Sequence, residues 1–242
     1  NKLNTLRAYQ EVAHELAHAR LDEHWGWGPI LSPTKTEQRK WQEEPMVEAY
    51  SLLRMGQLLK QDGMSEKEIL ESLKTLMHIS IVINALKIKG EFQSQNPHIN
   101  IPTLAALAKD DYKLLKSIIS ENSFAALGQE DLLFKIAVPL AEETMANTYQ
   151  VSREMQFMDS LETASSKHRE RIGRQANEFA GKPIDIGYVT FLRDAYKKLD
   201  PTTLSPRSAA YWQLVIDACD ALAGTNLDAE ISAFTEIVDR KS

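Results

Sequence analysis

The sequence predicts an all-α protein with several helices and little or no β-sheet. Apolar residues recur at helical spacing along most of the chain, and glycine and proline divide these segments. The alternation of apolar and polar residues that is typical of strands is confined to residues 99–101 and 184–188. Of the 242 residues, 43% are hydrophobic and 26% are charged, which is typical of a soluble globular protein. We therefore expect one helical domain.

The first helix should begin near Asn4 or Thr5, because either residue can cap it. Apolar residues continue at helical spacing as far as Leu16. Two glycines and a proline within residues 25–29 cannot continue a helix, so a loop should begin there and extend to Pro33.

The second helix is expected to begin at Pro45, since proline suits the first helical position, and to end near Gly63. Ser65 and Glu68 have the spacing of a capping box, which predicts the start of a third helix. Residues 69–86 are apolar on nearly every face, so this third helix should be central and buried.

The remaining helices are predicted from the same apolar spacing and from the helix stops between them. They comprise residues 102–109, 111–120, 129–165, 168–179, 186–199, 206–223 and 227–240. Pro139 should kink or divide the longest of them, because proline lacks the N–H that an interior helical residue donates.

Charge and cysteine content exclude some classes of function. The net charge of -6 argues against a nucleic-acid partner, because phosphate contacts need clustered lysine and arginine. No run of 18 or more apolar residues occurs, so membrane insertion is not expected. Cys219 is the only cysteine, which excludes an intrachain disulfide and favours a reducing, intracellular location.

A candidate metal site lies in residues 14–18, His-Glu-Leu-Ala-His, on the first predicted helix. His14 and His18 are four residues apart and project about 40° apart on one helix face, so both imidazoles can reach one ion. Glu15 follows the first histidine directly, which turns its carboxylate toward a water on the metal, as a general base requires. Imidazole and carboxylate ligands suit Zn²⁺ better than Mg²⁺ or Ca²⁺.

The reaction that this arrangement predicts is hydrolysis of an amide bond. Zn²⁺ would lower the pKa of a water toward about 7 and polarise the carbonyl, while Glu15 takes the water proton and passes it to the leaving amine. The alternative interpretation is an accidental motif or a site without activity. In that case the chain is a helical protein–protein interaction module.

The His-Glu-x-x-His pattern on a helix resembles the signature of the zincin metallopeptidases, over about the first sixty residues. The resemblance implies that His14 and His18 bind zinc, that Glu15 is the general base, and that a third ligand lies downstream. In the gluzincin-like branch that ligand is a glutamate on a second helix. Glu48, which is followed by the small residue Ala49, fits this description.

Two other residues are candidates for the third ligand. His24 has the position of the third histidine in the metzincin branch, but Leu21 stands where that branch has glycine. Leucine is disfavoured in the left-handed turn that would bring His24 back to the metal. Glu44 lies one turn before Glu48 on the same side of the helix, so it could bind the ion or hold a histidine ring.

The sequence thus predicts a zinc-dependent endopeptidase that acts on a protein or peptide substrate. Residues 1–92 would form a zincin-like, metal-binding helical core, and residues 93–242 a helical scaffold or substrate-recruiting region. The expected location is the cytoplasm or another intracellular setting, including the inside of a host cell for a secreted bacterial effector.

Overall fold

The computed structural model describes residues 2–26, 37–90, 101–144, 186–198, 200–204 and 206–223. Regular structure within these residues is entirely helical, which confirms the predicted fold class. The described parts of the two strand candidates, residues 101 and 186–188, belong to helices. The helices predicted at residues 168–179 and 227–240 lie outside the described residues.

The helices are numbered α1 to α7 in chain order. The helices formed by one segment are α1 Lys2–Trp25, α2 Glu37–Gln61, α3 Glu66–Gly90, α4 Ile101–Ser120, α6 Ile186–Lys197 and α7 Pro206–Ala223. Helix α5 combines Gln129–Asp131, a π-helical turn at Leu132–Ala137 and residues 138–144. Short 3-10 turns occur at Phe124–Ala126 and Pro201–Thr203.

The chain divides into two compact units, each of them discontinuous in sequence. The motif unit comprises Thr5–Met77 and Pro97–Tyr149. The C-terminal unit comprises Asn1–Asn4, His78–Asn96 and Gln150–Ser242. The boundary predicted between residues 92 and 93 falls outside the described residues and stays a prediction.

Helix α2 is central to the motif unit, where it contacts α4, the 3-10 turn Phe124–Ala126 and α5. It begins at Glu37, so the start predicted at Pro45 is wrong and the proline lies inside the helix. Residues 37–44 are rich in Glu, Gln, Lys and Arg, which have high helix propensity. Their propensity explains why the helix extends upstream, although Pro45 lacks an N–H.

The predicted end of α2 and the predicted start of α3 are both confirmed. Gly63 adopts a φ of 79°, and its N–H donates to the carbonyl of Lys60, as in a Schellman turn. The Ser65 N–H donates to the Glu68 carboxylate over 3.0 Å, as the capping box requires. The predicted burial of α3 is confirmed, since the fully buried side chains lie on several sides of the helix and include Ile69, Leu73, Leu76, Met77, Ile81 and Val82.

Helix α1 presents an unexpected face to the rest of the motif unit. Among residues 7–25, where its side chains are described, the buried ones are Gln10, Ala13, His14 in part, Ala17, His18 and Leu21. The apolar residues Tyr9, Val12 and Leu16, which contributed to the helix prediction, are 58%, 57% and 52% exposed. The mostly polar and small side of α1 is therefore the side that faces inward.

Two irregular turns fall where the sequence predicted interruptions. In α4 a left-handed turn at Asp110, Asp111 and Tyr112 separates two helical segments, close to the predicted break between residues 109 and 111. In α5 the π-helical turn ends at Ala137, two residues before Pro139, whose ring would clash with the carbonyl four residues earlier in a regular α-helix.

In the C-terminal unit, α6 packs against α7, and both helices were predicted. The Trp212 indole N–H donates to the Tyr196 carbonyl over 2.7 Å, which joins the two helices. Cys219 is fully buried, and burial raises its pKa to about 12, as is typical of a thiol that contributes to packing. Within the described ranges, no helix is long and apolar enough to cross a bilayer.

Candidate metal centre

The two motif histidines lie side by side on α1 and point toward α2. Their ring centroids are 4.9 Å apart with an interplanar angle of 73°, and their Nε2 atoms are 3.2 Å apart. The His14 side chain is 17% exposed and that of His18 is 7% exposed. The helical spacing of four residues accounts for this pairing, since it stacks one ring above the other on a single face.

Three buried glutamates of α2 surround the histidine pair. Glu43, Glu44 and Glu48 are 0%, 1% and 6% exposed. Glu44 and Glu48 are one helical turn apart and share a face of α2, whereas Glu43 projects about 100° from Glu44. Buried carboxylates are rare unless they are paired or bind a metal, so this group is unusual for the interior of a protein.

Glu44 faces both histidines from one side. Its Oε2 lies 3.5 Å from His14 Nε2, and its Oε1 lies 3.4 Å from His18 Nε2. A tetrahedral zinc ion bound at about 2.0–2.1 Å would separate its ligand atoms by about 3.3–3.4 Å. The Nε2–Nε2 distance of 3.2 Å agrees with that spacing. The two Glu44 distances involve different oxygens of the carboxylate, and with one ligand atom taken from each of the three residues, these atoms all lie within 4.8 Å of one another.

The other ring nitrogen of each histidine faces a second carboxylate. His18 Nδ1 makes a short contact with Glu43 Oε1, and His14 Nδ1 lies 3.6 Å from Glu48 Oε2. A carboxylate at Nδ1 favours the tautomer that carries its proton there, which leaves the Nε2 lone pair for an ion. Both histidines therefore present Nε2 to the same point.

Positive charge placed between these side chains would be attracted by the carboxylates. With the three carboxylates ionised and both imidazoles neutral, these five side chains would together contribute three negative charges. Two protons on the histidines or one divalent cation bound by neutral histidines would each leave one negative charge. A metal ion and two protons therefore compete for this cluster.

The pKa values of the histidines show the same attraction for positive charge. Burial alone would lower the pKa of His14, but Glu44 and Glu48 outweigh it and raise the pKa to about 10. Burial also opposes protonation of His18, and the adjacent Glu43 and Glu44 raise its pKa above the ordinary value. Without a metal, the imidazolium form of His14 is thus stabilised by the folded structure.

We expect the metal-free protein to become less stable as the pH rises from 7 to 9.5. His14 has a folded pKa of about 10 and an ordinary value of 6.5, so its contribution is complete below pH 6.5 and disappears as the pH passes 10. Each kcal/mol lost lowers the Tm of a chain of this size by about 2–4 °C. Thermal unfolding in the presence of a chelator measures the change. His14→Gln should show a smaller fall, and equal falls would contradict the assignment.

The structure places the other predicted site residues as follows. Glu15 is exposed on α1, about 100° around the helix from His14. His24 is also exposed, and its ring centroid lies 4.2 Å from that of Phe134. Because α1 continues as a helix through Trp25 with Leu21 buried, His24 projects away from the histidine pair.

Tyr50, two residues after Glu48, belongs to a separate polar network. Its hydroxyl donates to Gln129 Oε1 over 3.4 Å, and Arg20 Nη2 donates to the same oxygen over 3.1 Å. Burial raises the pKa of the Tyr50 hydroxyl. These bonds join α1, α2 and α5, so the network holds in place the two helices that carry the histidines and glutamates.

Glu43 and Gln10 are parts of the cluster that the sequence did not predict. Gln10 lies one turn before His14, is 5% exposed, and has its Nε2 3.5 Å from Glu48 Oε1. In the sequence, the feature that could have indicated Glu43 is the pair of acids Glu43 and Glu44 within about one turn of Glu48, beside an apolar helix face.

No family model, curated protein or solved structure matches this chain.

Proposed function

We propose that this protein is a zinc-dependent peptidase whose zinc ligands are His14 Nε2, His18 Nε2 and the Glu44 carboxylate. One observation supports the proposal above all: the two Nε2 atoms are 3.2 Å apart, each lies within 3.5 Å of a Glu44 oxygen, and Nδ1 of each histidine faces a second carboxylate. Ligands that are oriented in this way by outer carboxylates are typical of zinc sites.

We propose Glu44, and not Glu48, as the third zinc ligand. Glu44 places Oε2 near Nε2 of His14 and Oε1 near Nε2 of His18, whereas Glu48 faces Nδ1 of His14. An ion bound by both Nε2 atoms would therefore lie closer to the Glu44 carboxylate than to that of Glu48. Glu48 would then hold the His14 ring in place, a role that the sequence allows for Glu44 as well.

The donor set favours zinc among the common divalent ions. Two imidazoles and one carboxylate are the ligands of many catalytic zinc sites, whereas Mg²⁺ and Ca²⁺ prefer oxygen ligands throughout. Iron(II) also binds two histidines and a carboxylate. Elemental analysis of the purified protein distinguishes the two metals.

The proposed reaction assigns a separate task to each side chain. A bound Zn²⁺ would supply Lewis acidity, polarising a peptide carbonyl and making water more acidic. Glu15, next to His14 on the exposed side of α1, would take the proton of the attacking water and deliver it to the leaving amine. Glu43 and Glu48 would keep the imidazole rings fixed throughout.

The proposed substrate is a protein or peptide, and the proposed site of action is the interior of a cell. The single, buried Cys219 is compatible with a reducing compartment. The interior of a host cell, where a secreted bacterial effector would act, is one such location.

The metal content of the purified protein tests the proposal directly. We expect one zinc per chain, which the double variant His14→Ala, His18→Ala should not retain after dialysis. His24→Ala serves as the matched control, because His24 is an exposed histidine of the same helix and should leave the zinc in place. A wild-type protein that binds no zinc after reconstitution would refute the proposal.

One observation favours the second candidate, a helical interaction module. Tyr9, Val12 and Leu16 form an exposed apolar stripe on the side of α1 opposite to the histidine pair. Such a stripe is typical of a helix that binds another protein. The same zinc measurement separates the candidates, because an interaction module does not need a metal ion.

A further inference from the structure

Gln10 occupies a position that packing alone does not explain. It lies one turn before His14 on the buried face of α1 and is 5% exposed. Its Nε2 lies 3.5 Å from Glu48 Oε1, and its Oε1 has no hydrogen-bond partner among the described residues. A buried amide with incomplete hydrogen bonding lowers stability, so an apolar residue of similar size would fit better on packing grounds.

Glu44 and Glu48 are chemically equivalent candidates for binding the ion. They are one turn apart on the same face of α2, and both approach His14. The difference between them lies in their neighbours. Glu48 is the carboxylate near the Gln10 amide, whereas Glu44 faces the two Nε2 atoms.

We propose that Gln10 is a positioning residue that keeps Glu48 at Nδ1 of His14 and away from the ion. This inference rests on the zinc centre of the proposed function. The Gln10 amide donates to one oxygen of Glu48, which leaves the other oxygen for the His14 ring. The ring is then oriented with Nε2 toward Glu44 and His18.

The test replaces Gln10 by methionine, which has a similar length and flexibility but no hydrogen-bond donor. We expect Gln10→Met to weaken zinc binding about tenfold, the lower end of the effect of losing an outer partner of a metal ligand. Competition with a chelator of known affinity measures this change. The ¹⁵N imidazole spectrum of the zinc-loaded protein should lose or broaden the Nδ1–H signal of His14 and keep that of His18.

Gln57→Met is the matched control for the loss of a buried amide. Gln57 is fully buried on α2, and its amide donates to the carbonyls of Phe124 and Leu127 at 2.9 and 2.8 Å. This variant should lower the free energy of unfolding but leave zinc affinity and both imidazole signals unchanged. A purely structural role for Gln10 would make the two variants behave alike, which would overturn the inference.

A double variant gives an independent test with an opposite sign. If Gln10 restrains Glu48, then removing Gln10 when Glu44 is absent should let Glu48 move toward the ion. Gln10→Met in the Glu44→Gln background should therefore strengthen zinc binding, whereas it weakens binding when Glu44 is present. Weakening in both backgrounds would overturn the inference.

Different results would refute the proposed zinc peptidase and the positioning role of Gln10. A wild-type protein without zinc affinity would refute the proposed function and this inference with it. A wild-type protein that binds zinc, together with a Gln10→Met variant of unchanged affinity and unchanged His14 signal, would refute the positioning role of Gln10 alone.

Discussion

Replacing Glu15 by glutamine is expected to abolish peptide hydrolysis while the zinc content stays at one per chain. Glutamine keeps the size and polarity of the side chain but cannot accept the proton of the attacking water. General-base catalysis contributes about 10²–10⁴-fold to a rate, so the loss of kcat should fall in that range. Glu15 is exposed and does not belong to the His14–His18–Glu44 group, so metal binding should not change.

The measurement for Glu15→Gln needs no known substrate. Peptides from a digested proteome can be incubated with wild type and variant, and new termini counted by mass spectrometry. Glu11→Gln is the matched control, because Glu11 is an exposed glutamate one turn earlier on α1 that pairs with Arg7 at 3.3 Å. Glu11→Gln should cleave normally. Cleavage at the wild-type rate by Glu15→Gln would refute the assigned base.

The second large effect is expected for Glu44→Gln, which should lose zinc affinity more severely than Glu43→Gln or Glu48→Gln. Loss of an outer carboxylate typically weakens metal binding about 10–100-fold, and loss of a direct ligand should exceed that range. At a free zinc concentration 100 times the wild-type Kd, zinc should stabilise the folded wild type by about 2.7 kcal/mol. Glu44→Gln should lose nearly all of this stabilisation.

Calorimetry or chelator competition on the three single variants ranks the glutamates. The variants are well matched, since all three side chains are buried on the same helix and change by the same isosteric substitution. If Glu48→Gln weakens binding more than Glu44→Gln does, then Glu48 is the third ligand, as the sequence alone favoured. A similar small loss in all three would indicate that none of them binds the ion directly.

The sequence predicted the parts of this fold that depend on local interactions. The Ser65 capping box, the Gly63 stop and the interruption near residue 110 are each fixed by a few neighbouring residues, and all were confirmed. The start of α2 was predicted wrongly, because the rule that places proline at a helix start ignored the propensity of the residues before it.

The candidate site was predictable only where helical spacing decides the geometry. His14 and His18 come together because four residues separate them on one helix, and the sequence states that spacing. The arrangement of Glu43, Glu44 and Glu48 depends on how α1 and α2 face each other, which is a tertiary property. The resemblance favours Glu48 as the third ligand, but spacing alone does not separate Glu44 from Glu48, since both lie on the same side of α2.

The polar and small side chains on the inward face of α1 determine how this helix is held against the motif unit. Among residues 7–25 of α1, whose side chains the structure describes, the buried apolar ones are Ala13, Ala17 and Leu21, which offer little hydrophobic area. At the histidine pair, imidazoles of α1 and carboxylates of α2 face each other. An ion bound between them would therefore act as the core of the helix pair, so that the free energy of zinc binding would also hold the segment carrying Glu15 in place.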